Sequence, residues 1–158
     1  MLIGAIAAVV LTIVFYPLLV QTPFDLEDIT IQLGRVVLAS GGEQEQKLDL
    51  RISLNITNAS EYTLTTSKIE YELFVDDASL GSDTISYEDI PVNGRPALFS
   101  NEPPITITDT FTLDYSDDKV ELFNKILNNS ADISWSITGS ASIESGTSFQ
   151  EKTFSSEL

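Results

Sequence analysis

The chain has no cysteine and no histidine among its 158 residues, and basic residues are scarce. Without cysteine there is neither a disulfide nor a thiol nucleophile, so redox chemistry says nothing about the compartment. Without histidine, Ser-His-Asp and Cys-His catalysis and the usual zinc sites are excluded. The remaining chemistry is that of carboxylates and of metals that prefer oxygen ligands.

The shortage of basic residues leaves 8 Lys and Arg against 24 Asp and Glu, a formal net charge of -16. This balance excludes nucleic acid as a partner, because its phosphates are held by Lys and Arg. An excess of carboxylates is typical of a solubilising surface, and it also suits a cation-binding face or a basic partner.

The first 24 residues carry no charge at all, and Leu2–Val20 is an apolar run of 19 residues. In a helix this run is about 28 Å long, close to the hydrocarbon thickness of a bilayer. It also lacks the polar stripe of a globular surface helix. Residues 1–21 are therefore predicted to form an uncleaved transmembrane helix, and residues 22–27 a linker.

The apolar run has two other interpretations. A cleaved signal peptide would need a basic start and a small-x-small cleavage site, and the sequence has neither. A pilin-like helix that packs in a filament core stays open, although such helices are usually longer.

The orientation of the anchor is weakly determined, because no Lys or Arg closely flanks the apolar run. A single residue before the run and a long acidic domain after it favour a single-pass cell-membrane protein with its domain outside. The opposite orientation stays open. Three sequons, at Asn55, Asn58 and Asn128, are compatible with export and are candidate N-glycosylation sites.

Alternation of apolar and polar residues is clearest in the stretch Lys47–Ser60, where every second position from Leu48 to Ile56 is apolar. Such a period of two predicts a strand with one face in a core and one in water. Similar alternation predicts strands at residues 26–38, 68–76, 84–90, 105–113, 133–143 and 149–154. This succession predicts a mainly β domain over residues 28–158, an antiparallel β-sandwich with one short helix.

Local signals add detail to this prediction. Gly34 sits where the alternation changes phase, which predicts a β-bulge. Asp76-Asp77 predicts a hairpin turn, and Asn93-Gly94 a turn with positive φ. The helix is predicted at residues 117–128 from apolar residues three and four apart, with Ser116 or Asp117 as its cap.

Several spaced segments together resemble one known family. They are L-D-L-R-I-S-L-N-I-T-N (48–58), S-K-I-E-Y-E-L-F-V-D (67–76), the Leu80-Gly81 step, I-P-V-N-G (90–94), P-I-T-I-T (104–108) and W-S-I-T-G-S-A-S-I (135–143). With the anchor, they resemble the late-embryogenesis-abundant (LEA) type 2 domain, also called the water-stress and hypersensitive-response (WHy) domain, and we expect an archaeal member. The resemblance implies an immunoglobulin or fibronectin III-like sandwich without catalytic residues. The family usually has Asn-Pro where this chain has Asn58-Ala59.

Candidate chemistry is sparse. Asp114, Asp117 and Asp118 are weak candidates for a Ca²⁺ site, but they lack the spacing of an EF-hand loop, and helix capping explains them more simply. Trp135 is expected in the core, and Phe74, in the opposite phase to its neighbours, is a candidate for a contact surface. We expect no catalytic residue, no cofactor and no enzymatic activity.

The sequence thus leads to a non-enzymatic, membrane-anchored interaction or structural module of the cell exterior. Its partners would be the bilayer, through residues 2–20, and a protein of a membrane or envelope complex, in which the chain is an accessory subunit. The first alternative is a component of an archaeal surface filament, resembling an archaellum stator protein or a pilin. The second is a stress-protective or lipid-binding LEA type 2 domain, which would need an apolar groove between the sheets.

Overall fold

The computed structural model describes residues 24–42, 44–128, 133–146 and 148–158. Within these ranges the chain forms eight strands, one α-helix and two 3-10 turns, at Leu26–Asp28 and Val92–Gly94. The main elements are β1 (Ile29–Gly42), β2 (Lys47–Asn58), β3 (Leu64–Val75), β4 (Ala78–Ser86), β5 (Ala97–Leu98), β6 (Ile105–Asp114), α1 (Val120–Leu127), β7 (Trp135–Ser145) and β8 (Ser148–Glu157). The domain is mainly β, as the alternation predicts.

The strands form two antiparallel sheets. One has the order β1-β2-β6, and the other has the order β4-β3-β7-β8, with the short β5 paired to the start of β3. Side chains from both sheets, such as Leu50 and Ile69, form one hydrophobic core. On one side of this core β1 lies against β8, where the Leu33 N–H donates to Ser156 Oγ at 3.0 Å. On the other side the edge strands of the two sheets, β4 and β6, lie near each other.

The strand β2 is the middle strand of its sheet, paired along its length with β1 and β6. Its five apolar residues from Leu48 to Ile56 are each 1% exposed or less, which confirms the predicted alternation. A slip of one residue would turn this whole row towards solvent, at a cost on the order of 10 kcal/mol. The sequence of β2 therefore determines its register.

The predicted bulge at Gly34 is confirmed. The pairing of β1 with β2 shifts between Leu33 and Arg35, which leaves Gly34 as the extra residue. A Cβ on Gly34 would lie 2.5 Å from Asn55 Nδ2, so a larger residue has no space there unless the Asn55 side chain moves. Glycine at the bulge thus leaves room for the Asn55 side chain.

The hairpin turn predicted at Asp76-Asp77 is confirmed, since both residues adopt left-handed backbone angles, with φ of 48° and 66°. Two consecutive positive φ values suit the twist of the flanking strands. The strand β4 follows at once from Ala78 to Ser86. The separate strand predicted at residues 84–90 is therefore wrong in its bounds, because its first part belongs to this longer strand.

The turn predicted at Asn93-Gly94 is present, but its predicted conformation is wrong. Val92–Gly94 forms a 3-10 turn, and neither Asn93 nor Gly94 has a positive φ. The Gly94 N–H donates to the Pro91 carbonyl at 2.7 Å. A right-handed turn of this kind needs no left-handed residue.

The helix α1 is shorter than predicted, and its predicted cap is wrong. It begins at Val120 with Lys119 as the N-cap residue, and no side chain caps it. Residues 117–119 instead form a turn in which the Lys119 N–H donates to the Ser116 carbonyl at 3.0 Å. The helix packs on the core through Phe123 and Ile126, as its apolar spacing predicts.

The packed domain extends back to Phe24, which is buried, and Leu26–Asp28 is a 3-10 turn capped by the Asp25 carboxylate. The predicted transmembrane helix at 1–21 lies outside the described residues, as does the start of the predicted linker. Of the residues that the structure describes, none belongs to a helix long and apolar enough to cross a membrane.

Candidate functional site

A groove of about 390 Å³ opens between β4 and β6, where the two sheets come together without a shared ladder. Leu80, Phe111 and Leu113 form the apolar base of the groove. Each of these side chains is almost fully buried, so only a small part of it is exposed in the groove. Asp83 from β4 and Asp114 from β6 add a carboxylate from each sheet. The groove thus combines an apolar base with negative charge from both sheets.

Both strand edges at this groove are modified in ways that oppose the addition of another strand. In β4 the pairing with β3 shifts next to Gly81, whose φ is 133°, and Lys119 Nζ donates to the Leu80 carbonyl at 2.7 Å. In β6 the charged Asp109 occupies an inward position. Bulges and inward charges are common protections of exposed strand edges. The groove is therefore suited to accept side chains rather than a partner strand.

The inward Asp109 accepts a hydrogen bond from the hydroxyl of the buried Tyr71 at 2.7 Å, and this bond links the two sheets. Burial, with the Asp109 carboxylate second, raises the pKa of Tyr71 far above its ordinary value. Burial also raises the pKa of Tyr87, again with a contribution from Asp109. In the sequence Asp109 interrupts the apolar alternation between Ile107 and Phe111, and nothing there indicates the Tyr71 partner.

The three acidic candidates for a Ca²⁺ site lie in two different places in the structure. Asp114 lines the groove, whereas Asp117 and Asp118 lie in the exposed turn before α1. A hydrogen bond from the Ser116 hydroxyl lowers the pKa of Asp118. Across residues 24–42, 44–128, 133–146 and 148–158 there is no group of three or more acidic residues placed to hold a metal ion.

The three sequon asparagines lie in different surroundings. Asn55 is half-buried within β2 and accepts a hydrogen bond from Thr106 Oγ1 at 2.9 Å. Asn128 is exposed just after α1, with its amide donating to the Asn124 carbonyl at 2.8 Å. Asn58 is only 2% exposed, so the folded domain has no room for a glycan there.

Asn58 has a structural role that its sequon does not indicate. Its Nδ2 donates to the carbonyls of Tyr62 and Leu98, at 2.7 and 2.8 Å. Its Oδ1 accepts from the N–H and the hydroxyl of Ser60, at 3.0 and 2.7 Å. The buried amide thereby connects the end of β2 to the connection before β3 and to β5.

The outer face of the five-stranded sheet is rich in hydroxyl groups and carboxylates. In one row across four strands, Thr84, Glu70, Ser140 and Thr153 lie side by side. A shallow depression of about 320 Å³ on this face contains Glu70, Glu72 and Asp83. Such a face is typical of a well-hydrated surface.

Two aromatic residues were singled out by the sequence. Trp135 is partly buried and packs against the core, in agreement with the prediction. Phe74 is half-buried at the edge of the hydroxyl-rich face, where it pairs with Ser79 and Ser136. Phe74 therefore offers less exposed surface for a contact than its position on the outer face of β3 suggests.

Comparisons with known proteins give distant structural matches only. No family model and no curated protein matches the sequence. A protein from Archaeoglobus fulgidus aligns over 86% of this chain and 94% of its own, with 11% identity and a TM-score of 0.45. A candidate LEA protein aligns over 99% and 84%, with 14% identity and a TM-score of 0.44. An Arabidopsis thaliana protein aligns over 82% and 76%, with 9% identity and a TM-score of 0.46. With identities and TM-scores this low, the likeness carries no argument about function.

Proposed function

We propose that the chain is a non-enzymatic, membrane-anchored module of the cell exterior that docks a protein partner in a membrane or envelope complex. The apolar run Leu2–Val20 supports the anchor, because it is uncharged and long enough to span a bilayer. The absence of histidine and cysteine from the sequence supports a binding role over a catalytic one.

Within this proposal the domain is an immunoglobulin or fibronectin III-like sandwich of the LEA type 2 kind. Two antiparallel sheets that share one core are in keeping with that architecture. The resemblance of the segments at 48–58, 67–76 and 135–143 to the LEA type 2 domain supports it further.

The observation that carries the docking role is the groove between β4 and β6. Its carboxylates, Asp83 and Asp114, flank an apolar surface that includes Phe111. Lys119 already places one ammonium group in this groove, on the Leu80 carbonyl. A partner with a Lys or Arg side chain complements this site, since opposite charges set specificity and speed association. The aliphatic stem of such a side chain would lie on the apolar base.

The test uses the full chain, gently solubilised from native membranes, and identifies co-purifying proteins by mass spectrometry. We expect a stoichiometric partner with the wild type and its loss with the double variant Asp83→Lys and Asp114→Lys. The matched control is the double variant Glu151→Lys and Glu157→Lys, two exposed charge reversals on β8, on the opposite edge of the sheet from β4, which should retain the partner.

Each part of the proposal has its own contrary result. Equal recovery of the partner with the groove variant and the control would refute docking at this groove. Recovery of the chain in the aqueous fraction, without detergent, would refute the membrane anchor.

A further inference from the structure

Exposed apolar side chains are concentrated at one end of the domain. Of the eight large hydrophobic residues exposed in the described ranges, five share this end, and we call them the apolar collar: Tyr62, Ile90, Val92, Phe99 and Phe149. Phe149 is 76% exposed and Phe99 is 56% exposed. Exposed apolar side chains gathered in one region are a common feature of interaction surfaces.

The first half of the collar is assembled by Asn58. Its amide donates to the carbonyls of Tyr62 and Leu98, and the second of these residues directly precedes Phe99. A backbone bond from the Asn101 N–H to the Asn58 carbonyl, at 3.0 Å, holds the same segment from the other side. The backbones at Tyr62 and Leu98 are therefore held close together at the end of β2.

The second half is assembled by Arg95. Its guanidinium forms an ion pair with Glu144 at 2.6 Å, and its Nε donates to the Ile90 carbonyl at 2.8 Å. Glu144 pairs directly with Phe149 in the ladder between β7 and β8. The segment that carries Ile90 and Val92 is thereby tied to the end of β7, one strand away from Phe149.

This end is also where the chain enters the domain. Gln150, next to Phe149, donates its side-chain amide to the Phe24 carbonyl at 2.8 Å. The Ala59 N–H donates to the Asp28 carbonyl at 2.9 Å. Between the apolar run and Phe24 there are only residues 21–23, and three residues reach at most about 10 Å.

We propose that the apolar collar contacts the bilayer interface and seats the domain on the membrane. The inference rests on the proposed anchor, since a span ending at Val20 holds this end of the domain within reach of the lipid. Aromatic and aliphatic side chains favour the interfacial region. The groove between β4 and β6 lies at the start of β4 and the end of β6, so it faces away from the membrane, towards a partner.

The charges around the collar refine the lipid preference. Glu61 and Asp89 directly precede the collar residues Tyr62 and Ile90, and Glu88 and Glu102 lie within three positions of Ile90 and Phe99; all four are exposed. Carboxylates at the surface are repelled by anionic lipid headgroups. The contact should therefore depend on apolar side chains, be stronger on zwitterionic than on anionic vesicles, and resist added salt.

The experiment uses the full chain in phosphatidylcholine vesicles and exploits the lack of native cysteine. Single variants Phe149→Cys and Val92→Cys each carry an environment-sensitive fluorophore, and the lipids carry a nitroxide quencher just below the headgroups. The control is Leu158→Cys, because Leu158 is 54% exposed and its N–H bonds to Trp135, at the opposite end of β7. We expect a loss of fluorescence for both collar labels, a smaller loss with phosphatidylglycerol vesicles, and none for the control.

Flotation after an alkaline carbonate wash, applied to the same vesicles, separates the two proposals. A chain that floats with quenched collar labels supports both the anchor and the collar. A chain that floats while the lipid nitroxide leaves its collar labels unquenched overturns the collar contact alone. The same conclusion holds if the labels are protected from aqueous iodide but are not quenched by the lipid. Equal quenching at the control position also overturns it. A chain that does not float overturns the anchor and the collar together.

Discussion

Replacing Asn58 with alanine should destabilise the domain strongly, because its side chain forms four hydrogen bonds. The substitution removes the donor for the carbonyls of Tyr62 and Leu98 and the acceptor for two groups of Ser60. Leu98 and Ser60 are 1% and 4% exposed, so water cannot readily replace the lost bonds there. Tyr62 is half exposed, and its carbonyl can be rehydrated.

At least two buried polar groups, the Leu98 carbonyl and the Ser60 N–H, would then lack a partner. Each unsatisfied buried group costs about 1–3 kcal/mol, so the expected loss in the free energy of unfolding is about 2–6 kcal/mol. For a domain of this size that corresponds to a fall in Tm of roughly 5–25 °C. The loss is a large share of the roughly 5–15 kcal/mol that stabilises a typical domain.

The assay is urea unfolding of residues 22–158, followed by the fluorescence of Trp135. Asn55→Ala is the matched control, because this second sequon asparagine is half-buried and accepts one hydrogen bond, from Thr106. It should lose about 1 kcal/mol or less. An Asn58→Ala variant as stable as the control would refute the reasoning, as would a glycan found on Asn58 in the folded native protein.

Three further outcomes are expected. The raised pKa of Tyr71 keeps its phenol protonated in the folded protein while the phenol of the unfolded chain ionises. The wild type therefore loses stability above pH 10, by about 1.4 kcal/mol per pH unit. Tyr71→Phe should make this fall in stability less steep. An unchanged slope in urea titrations at pH 10 to 11 would contradict this. The Arg95 guanidinium bonds to two carbonyls of the segment 88–96, those of Glu88 and Ile90, and to Glu144 on β7. Arg95→Ala should therefore speed hydrogen exchange in this segment, and Arg95→Lys should not restore protection, because ammonium lacks the planar fork. The Lys125 ammonium and the Ser134 N–H lower the pKa of Asp76. The contribution of Asp76 to the free energy of unfolding is therefore present above the ordinary pKa of aspartate and is lost as pH falls through the lowered value. Asp76→Asn should reduce the loss of stability in acid, and an identical loss in the variant would count against the ion pair.

The accuracy of the sequence predictions follows the range of the interactions involved. The row from Leu48 to Ile56 was predictable because the side-chain period of a strand is a local property. The bulge at Gly34 was predictable from a phase change, and the turn at Asp76-Asp77 from residue type. The start of α1 was not, because Lys119 and not an acidic residue occupies the N-cap.

Some features gave a signal whose meaning depended on distant residues. Asp109 broke the apolar phase of its strand, but its partner Tyr71 lies 38 positions away. Asn58 matched a glycosylation triplet, yet four hydrogen bonds bury its amide inside the domain. The strand β5 has only two residues, too few for any periodic pattern, and exists through its pairing with β3.

The amino-acid sequence by itself thus determined which side chains face the core, since alternation depends only on neighbours along the chain. It also determined the charge balance and the uncharged run before the domain. Only the tertiary structure decided which strands end each sheet, and hence that β4 and β6 enclose a groove with carboxylates from both. The apolar collar likewise comes from three separate stretches of chain, and hydrogen bonds between segments far apart in sequence bring its members together.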